Sequence, residues 1–442
     1  MKLNYQQSSF IKKTDLNTLA QRLEPYRKTL QAISQTNGYH EPESSIHLPN
    51  DPLLLEKMYQ TCERIYSPTL QYVIVVGIGG SNLGAQAVYE AIAGSMNLLG
   101  DRLPKLIFLD TVTDEKMTAV TRVLERLVTR EDFLVIAISK SGTTTETIVN
   151  TEILWAFLEE HFGPCQNRFV FITDEGSKLW EIAQNKKIEC LSVPKQVGGR
   201  FSLFCAVGLL PLHLAGIDIK ALINGGKQAV SDGISSHLLK NHSLVCACLT
   251  YLHHQQGRHI HNTFLFSPKF ETLGKWYRQL MGESLGKERD LNGNIVYAGI
   301  IPIVSIGSTD LHSMAQLYWG GPDVIYTNLV YSFTGDIHRI PQHLSLPGLV
   351  ADIQGSSLEC VMKALYGGVK AAYEKKQRPY AEIDLEQADA YELGYYLQFR
   401  MMEIMYLARL MNLNAFDQPA VELYKEATRS LLRPSPNTLL SE

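Results

Sequence analysis

The sequence of 442 residues is long enough for two or three domains with hydrophobic cores of their own. It carries 41 basic and 45 acidic residues, and it has neither a basic tail nor a long run of one charge, so nucleic acid is not indicated as its main ligand. Apolar residues make up 45% of the chain and charged residues 19%, which is typical of a folded globular protein and argues against disorder or a fibrous repeat.

The sequence gives no sign of secretion or of a membrane segment. Its first seven residues are mostly polar where a signal peptide has its apolar region, so we expect a cytoplasmic protein. Seven cysteines in a chain of this length do not indicate a disulfide scaffold. The most apolar stretch, residues 204–217, contains Pro211 and His213 and is shorter than the ~20 residues that span a bilayer.

The first 55 residues predict a helical N-terminal extension. Apolar side chains recur there at helical spacing, at Leu19, Leu23, Tyr26, Leu30 and Ile33. A segment rich in proline and serine follows at residues 42–52 and predicts a loop.

Short β-branched runs then alternate with amphipathic segments of helix length. The runs cover residues 72–76, 106–109, 133–138 and 169–172. Continuous apolar runs between helical segments are typical of a parallel sheet covered by helices on both faces. Residues 56–195 therefore predict one doubly wound α/β domain.

A second series of such runs predicts a second α/β domain of similar design, over residues 196–390. These runs cover residues 243–252, 262–266, 295–306 and 323–329. The following stretch, residues 388–411, is rich in leucine, tyrosine and methionine and has few helix breakers. It predicts a long helix packed on the body of the protein.

The first strand of the first domain leads into a glycine-rich turn at residues 77–84 and then into a helical pattern. This order places free backbone N–H groups and the positive end of a helix dipole where an anion can bind. A dinucleotide fingerprint, G-x-G-x-x-G, is excluded because Asn82 occupies its last position. The alternative is a tight turn that needs glycine for structural reasons alone.

The third strand leads into a second loop, residues 139–147, that contains many hydroxyl groups, Lys140 and Gly142. At a helix N-terminus, these groups offer many hydrogen-bond donors to a phosphate dianion. The alternative is an ordinary helix cap. Parallel sheets bind ligands at the carboxyl ends of their strands, where both loops lie, so the two loops together predict a phosphate site.

Three single residues are candidates for chemistry on a sugar phosphate. A carboxylate such as Glu283 can take a proton from a carbon next to a carbonyl, and a cation such as Arg200 can stabilise the resulting enediolate. His312 is the third candidate, although each of the three is, taken alone, more often a salt-bridge or structural residue. The run 282–287 is not an ATP-binding P-loop, because three residues separate its glycines and Glu288 follows its lysine.

Six short motifs, taken in order, resemble the glucose-6-phosphate isomerase family over nearly the whole chain, and in particular its compact bacterial forms. The motifs are Gly80-Ser81, residues 139–144, residues 198–202, Gln279 with residues 283–287, His312-Ser313 and residues 418–425. The resemblance implies two sugar-isomerase (SIS-type) α/β domains with mainly parallel sheets, over residues 56–195 and 196–390. It also implies an N-terminal helical extension (1–55) and a C-terminal helical arm (391–442) that carries Lys425.

The resemblance further implies the reversible isomerisation of glucose 6-phosphate to fructose 6-phosphate, without a metal or an organic cofactor. Glu283 matches the base that moves a proton between C2 and C1, and Arg200 matches the residue that stabilises the enediolate. His312 and Lys425 match the pair that opens the sugar ring, and the histidine comes from the neighbouring subunit of a homodimer. The matched substrate-binding positions are Gly80, Ser81, Ser139, Lys140, Ser141, Gly142, Thr143, Thr144, Gln279 and Gln418.

Two departures and three alternative interpretations accompany this resemblance. Ala420 stands where the family commonly has glycine, and Ser141-Gly142 where other members carry threonine followed by phenylalanine or glycine; neither change removes a proton-transferring group. One alternative is a related isomerase of another phosphosugar, such as mannose 6-phosphate. A non-catalytic sugar-phosphate sensor is disfavoured because the chain retains Glu283. A metal site at the four histidines of residues 253–261 is disfavoured because that stretch has no cysteine, aspartate or glutamate.

Overall fold

Two five-stranded sheets and a two-stranded hairpin form the framework of this computed structural model, which describes residues 1–335 and 337–432. The strands are β1 (Lys2–Asn4), β2 (Tyr72–Val76), β3 (Lys105–Leu109), β4 (Phe133–Ile138), β5 (Phe169–Thr173), β6 (Glu189–Ser192), β7 (Ile260–Leu265), β8 (Lys287–Arg289), β9 (Ile295–Ala298), β10 (Ile301–Ile306), β11 (Ile325–Tyr331) and β12 (Tyr380–Asp384). The last part of the predicted C-terminal arm, residues 433–442, lies outside the described residues.

Helices surround the sheets and connect their strands. They are α1 (Lys13–Ser34), α2 (Pro52–Ile65), α3 (Leu83–Ala93), α4 (Asp114–Leu124), α5 (Thr145–Phe162), α6 (Lys178–Lys186), α7 (Ala206–Leu214), α8 (Ile219–Gly233), α9 (His242–Gln255), α10 (Glu271–Leu285), α11 (Thr309–Ser313), α12 (Ala315–Gly320), α13 (Leu358–Lys375), α14 (Ala390–Leu410) and α15 (Val421–Leu431). None of the described helices has the length and apolar character needed to cross a bilayer. The predicted N-terminal helical pattern is confirmed as α1, whereas the predicted loop at residues 42–52 is mostly a 3-10 helix, Pro42–Asn50.

The first sheet is entirely parallel, with the strand order β3-β2-β4-β5-β6. The four predicted runs are confirmed as β2 to β5, and β2 and β4 match the prediction to the residue. Alternate residues of β2 pack into two different cores: Val73 and Val75 into one, Ile74 and Val76 into the other. Both faces are therefore buried, as continuous apolar strands require.

The second sheet has the order β1-β12-β11-β7-β10 and is parallel except for its edge strand β1. The predicted runs 262–266 and 323–329 are confirmed as β7 and β11, each shifted by about two residues. The run 295–306 is divided between β9 and β10, which belong to different sheets. The predicted α/β class with mainly parallel sheets is thus confirmed, and β1, with only three residues, is an element that the sequence pattern did not predict.

The prediction of a strand at residues 243–252 is wrong, because this run lies within α9. The helix is buried almost all round, so its apolar residues show no helical period, and a short continuous apolar run does not distinguish a buried helix from a buried strand. Cys246 and Cys248 are both buried in it. The long helix predicted at residues 388–411 is confirmed as α14, which packs against α8 so closely that a Cβ on Gly225 would lie 1.8 Å from Tyr391 O.

Two histidines are buried in the core of the second half of the chain. His253 of α9 stacks on Tyr326 with the ring centroids 4.2 Å apart, and His261 of β7 hydrogen-bonds Asn328 Oδ1 through Nε2 at 3.2 Å. Burial, together with the nearby guanidinium of Arg258 at His253 and of Arg400 at His261, lowers the pKa of each imidazole to about 3. Both histidines are therefore neutral in the folded protein at neutral pH.

The free energy of unfolding is expected to fall as the pH drops below about 6.5. In that range the two histidines bind protons in the unfolded chain but stay neutral in the folded protein. Each histidine contributes about 2 kcal/mol of destabilisation between pH 6.5 and pH 5. Urea unfolding at both pH values measures the change. His261→Gln is expected to reduce the pH dependence, whereas the same change at the exposed His237 leaves it as in the wild type; an unchanged pH dependence in His261→Gln contradicts this account.

Candidate active site

The glycine-rich turn after β2 packs tightly against a second glycine-containing turn. A Cβ on Gly80 would lie 2.2 Å from the carbonyl carbon of Gly199, so only glycine fits at this crossing. Gly79 has a φ of +60°, and a Cβ there would lie 2.9 Å from Gln279 Nε2 of α10. The first loop is thereby held between the Arg200 turn and α10.

The second loop, residues 139–144, starts at the end of β4, the neighbour of β2 in the sheet. Ser139 is buried, and its Oγ donates to Thr144 Oγ1 at 2.8 Å and accepts from the Thr144 amide at 3.2 Å. Ser141 and Thr143 are exposed, with their hydroxyl oxygens 3.2 Å apart. These bonds fix the shape of the loop and leave two hydroxyls at its surface, directly before α5.

The two loops meet at Gly77. A Cβ on this residue would lie 2.9 Å from Ser81 Cβ and 3.3 Å from Ile138 O, the last residue of β4. The prediction that the two loops lie side by side at the carboxyl edge of the sheet is therefore confirmed. Lys140 reaches across the second loop and donates to Lys195 O at 2.6 Å.

Lys140 and Asp174 lie next to each other at the second loop, where the Asp174 amide donates to Lys140 O at 3.0 Å. Burial lowers the pKa of Lys140. The charge of Asp174 opposes this shift, and the charge of Lys195 adds to it. Burial also raises the pKa of Asp174, and the two lysines oppose that shift. The side chains of Lys140, Lys195 and Asp174 thus lie close enough for each charge to affect the others.

Arg200 links its own turn to two other segments of the chain, α10 and residues 415–418, although only 2% of the residue is exposed. Its guanidinium donates to Glu283 Oε2 (3.1 Å), Gln418 Oε1 (2.7 Å), Ser284 Oγ (2.9 Å), Ala415 O (2.6 Å) and Asp417 O (3.2 Å). Burial lowers the pKa of Arg200, and the carboxylates of Glu283 and Asp417 oppose the shift. All five N–H groups of the guanidinium make hydrogen bonds. A lysine, with three N–H groups, cannot make the same set.

The Glu283 carboxylate is held at both oxygens and remains open to solvent on one side. Oε2 accepts from Arg200, and Oε1 accepts from Gln279 Nε2 at 2.8 Å. The side chain is 33% exposed. Gln279 lies one helical turn earlier on the same face of α10, so the helical spacing itself brings the two together. An oriented carboxylate next to a buried cation is suited to proton transfer with charge stabilisation.

His312 and Lys425 lie outside this cluster of contacts. His312 is exposed on the short helix α11, and Lys425 on α15 pairs with Glu422 Oε1 at 2.8 Å. No hydrogen bond or ion pair between described residues connects either side chain to Arg200 or Glu283. Within one chain, the structure brings together Arg200, Glu283 and the two glutamines but does not join the two remaining predicted residues to them.

Three contributors to the site were not assigned a role by the sequence. Ser284 is fully buried against Arg200, and Lys287, which is only 7% exposed, donates to Glu283 O at 2.9 Å. Asp417 pairs with Lys287 through Oδ1, also at 2.9 Å. The sequence offered one indication of them, their position next to predicted site residues. Ser284 and Lys287 lie in the motif of Glu283, and Asp417 precedes Gln418.

The four histidines of residues 253–261 are divided between two environments. His253 and His261 are in the core, whereas the Nδ1 atoms of His254 and His259 lie 3.2 Å apart near the surface. Within residues 1–335 and 337–432, no group of three or more histidine, cysteine, aspartate or glutamate side chains is arranged to hold a metal ion.

Comparisons with known proteins agree with the arrangement of these motifs. The family model described as phosphoglucose isomerase matches residues 49–438. A glucose-6-phosphate isomerase of Methanocaldococcus jannaschii is 31% identical over 366 residues, which cover 82% of this chain and 84% of the relative. The enzyme of the same name from Acholeplasma laidlawii is 29% identical over 442 residues and is covered almost completely, with 98% of this chain and 99% of the relative aligned.

Solved structures show the same architecture. A hypothetical protein of Thermus thermophilus superposes with a TM-score of 0.83 at 28% identity, covering 98% of this chain and 100% of that chain. A glucose-6-phosphate isomerase from Chlamydia trachomatis superposes with a TM-score of 0.80 at 20% identity, covering 99% and 90%, and so supports the fold. Because the family model spans most of the sequence, and relatives above 30% identity align over more than two thirds of their length, the chain belongs to the phosphoglucose isomerase family.

Proposed function

We propose that this protein catalyses the reversible isomerisation of D-glucose 6-phosphate to D-fructose 6-phosphate, a step of glycolysis and gluconeogenesis. The observation that carries the proposal is the Glu283 carboxylate, held between Arg200 and Gln279 beside the glycine-rich loop of the first sheet. The names of the relatives support the same substrate. We also propose the domain division at residues 55, 195 and 390 that the sequence predicts.

The two loops are proposed to anchor the phosphate. Its ligands are the hydroxyls of Ser81, Ser139, Ser141 and Thr144 together with the backbone of Gly80 and residues 140–143. The net charge of -4 does not attract a dianion over distance, so these local donors must capture it. A phosphate fixed at one end orients the reacting carbons at the other, and such orientation supplies up to ~7–11 kcal/mol in favourable cases.

Glu283 is proposed to transfer the proton. The Glu283 carboxylate takes the proton from C2 of the open-chain aldose, the electron pair of the broken C–H bond forms the C1–C2 double bond, and the C1 oxygen becomes negative. A proton then moves from the C2 hydroxyl to O1, so that the negative charge passes to O2. Glu283 returns its proton to C1 as the C2=O bond forms, which gives the ketose. Arg200, buried and fully hydrogen-bonded, supplies a fixed positive charge for the enediolate intermediate.

His312 and Lys425 are proposed to open the sugar ring by moving a proton between the ring oxygen and the C1 hydroxyl. We propose a homodimer in which His312 of a second copy completes the site. The exposed position of His312 on α11 and the lack of contacts from it to Glu283 within the described part of one chain support this arrangement.

The proposal is tested by incubating the purified protein with glucose 6-phosphate, and separately with mannose 6-phosphate, without added metal or nucleotide. We expect NMR to show fructose 6-phosphate forming from glucose 6-phosphate. Product from mannose 6-phosphate alone would assign a related aldose–ketose isomerase instead, and no product from either sugar would refute both enzymatic functions.

A further inference from the structure

Lys287 is a buried lysine directly behind Glu283, outside the set of residues that the reaction uses. It is the first residue of β8, two positions after the end of α10. Its Nζ donates to Glu283 O at 2.9 Å, donates to Asp417 O, and lies 2.9 Å from Asp417 Oδ1. A lysine is seldom buried unless it is paired, so this position depends on the three oxygen atoms that surround it.

The ammonium group lies at the C-terminal end of α10, where unsatisfied backbone carbonyls carry partial negative charge. Burial lowers the pKa of Lys287; the hydrogen bond and the charge of Asp417 oppose the shift, and Arg200 adds to it. The Asp417 carboxylate is thus the main side chain that favours a charged lysine here. The pair ties the end of the Glu283 helix to the segment that precedes Gln418.

This segment, residues 412–418, is fixed from two further directions. Arg200 Nη2 donates to Ala415 O and Asp417 O, at 2.6 and 3.2 Å. The hairpin that β8 forms with β9 also binds the start of the segment, because the amide of Leu291 donates to Asn412 O at 2.8 Å. Arg200 and Lys287 are therefore two cations that donate hydrogen bonds to the same stretch of backbone.

The helix α15, which carries Lys425, depends for its placement on these hydrogen bonds to the segment before it. It begins at Val421, three residues after Gln418, and none of its residues is buried. Its own packing on the body therefore contributes little to its position. The orientation with which the chain leaves Asp417 must largely decide where Lys425 stands relative to Glu283.

We propose that Lys287 is a positioning residue that, through Asp417, sets the placement of Gln418 and Lys425 relative to Glu283. The proposal rests on the proposed function, since it assigns Lys287 to the arrangement of that site rather than to the chemistry itself. It predicts a larger loss in turnover than in substrate affinity, because the phosphate loops that anchor the substrate are not touched.

The test replaces Lys287 by methionine, which keeps an unbranched side chain as far as Cε and removes the ammonium group. Lys275→Met is the control on α10, the helix that carries Glu283, where Lys275 pairs with Glu271 at the surface. We expect kcat to fall about 10²-fold in Lys287→Met with a much smaller change in KM, since a misplacement of about 1 Å costs that much. Lys287→Arg is expected to recover part of the loss. A kcat within about threefold of the wild type in Lys287→Met overturns the proposal.

Two further measurements separate positioning from general damage. If Lys287 acts through Lys425, the double variant Lys287→Met/Lys425→Met has a kcat less than about threefold below that of Lys425→Met alone. If instead the kcat losses of the two single variants multiply in the double variant, the proposal is overturned. Amide hydrogen exchange over residues 417–431 is expected to be faster in Lys287→Met than in Lys275→Met. This readout needs no turnover, so it decides the role of Lys287 even if the wild type fails to isomerise glucose 6-phosphate; equal exchange in the two variants counts against the proposal.

Discussion

Glu283→Gln is expected to fold as the wild type does and to lose about 10²–10⁴-fold in kcat, the range that general acid–base groups contribute. The amide keeps the shape of the side chain but cannot accept the C2 proton. The hydrogen bond from Arg200 can remain at the amide oxygen. Gln279, whose Oε1 is buried without a hydrogen-bond partner in the described structure, can turn its amide and accept from the new NH₂ group.

The measurement compares steady-state kinetics and thermal unfolding of the variant with those of Glu271→Gln. Glu271 lies at the other end of α10 and forms a surface ion pair with Lys275, so it reports on charge removal from the same helix. We expect near-normal turnover in this control. Near-normal turnover in Glu283→Gln as well would remove Glu283 from its proposed role as the base.

Arg200→Met is expected to damage both stability and turnover. It removes five hydrogen bonds from a side chain that is almost completely buried, and it takes away the donor that Arg200 supplies to the carbonyl of Ala415 and to Glu283 Oε2. Removing one partner of a buried pair costs about 3–5 kcal/mol, and we expect the lower end because Glu283 is partly exposed. We expect kcat to fall about 10²–10³-fold, as when one charge-stabilising donor is removed.

Arg64→Met is the matched control, because Arg64 makes a two-point ion pair with Glu189 at the surface. It is expected to cost less than about 1 kcal/mol. Denaturant unfolding measures both free energies, and steady-state kinetics measures turnover. Arg200→Lys distinguishes charge from geometry: it keeps the charge but cannot serve the same acceptors, so we expect only a small recovery. Equal costs for Arg64→Met and Arg200→Met would contradict the central role of Arg200.

The first sheet and its two loops could be predicted because their signals are local. A run such as residues 133–138 is apolar throughout, is of strand length and is followed by a helix start, so strand, loop and helix can be read from adjacent residues. The glycines of the first loop also have a local reason, since Gly80 faces a backbone that excludes a side chain. Because β2 and β4 are neighbours, the loops that follow them must be neighbours as well.

The features that could not be predicted depend on distant partners. Strand β1 is defined only by its pairing with β12, and the helix at residues 243–252 lacks a helical pattern because its surroundings bury almost every side of it. The roles of Lys287 and Asp417 arise from a contact across 130 residues of sequence. The roles assigned to His312 and Lys425 came from the family resemblance, and they stay predictions.

The long reach of Arg200 has a consequence for the biosynthesis of the protein. Its hydrogen-bond partners lie from 83 to 218 residues further along the chain, and the most distant of them, in residues 415–418, follow the last strand of the second sheet. At about 5–20 residues per second, the ribosome adds Gln418 roughly 10–40 s after it adds Arg200. Both sheets can fold on the nascent chain during this interval, while the guanidinium remains solvated. Residues 415–418, the segment to which Arg200 donates, are therefore synthesised after both sheets. A nascent chain that already has both sheets still lacks a complete site.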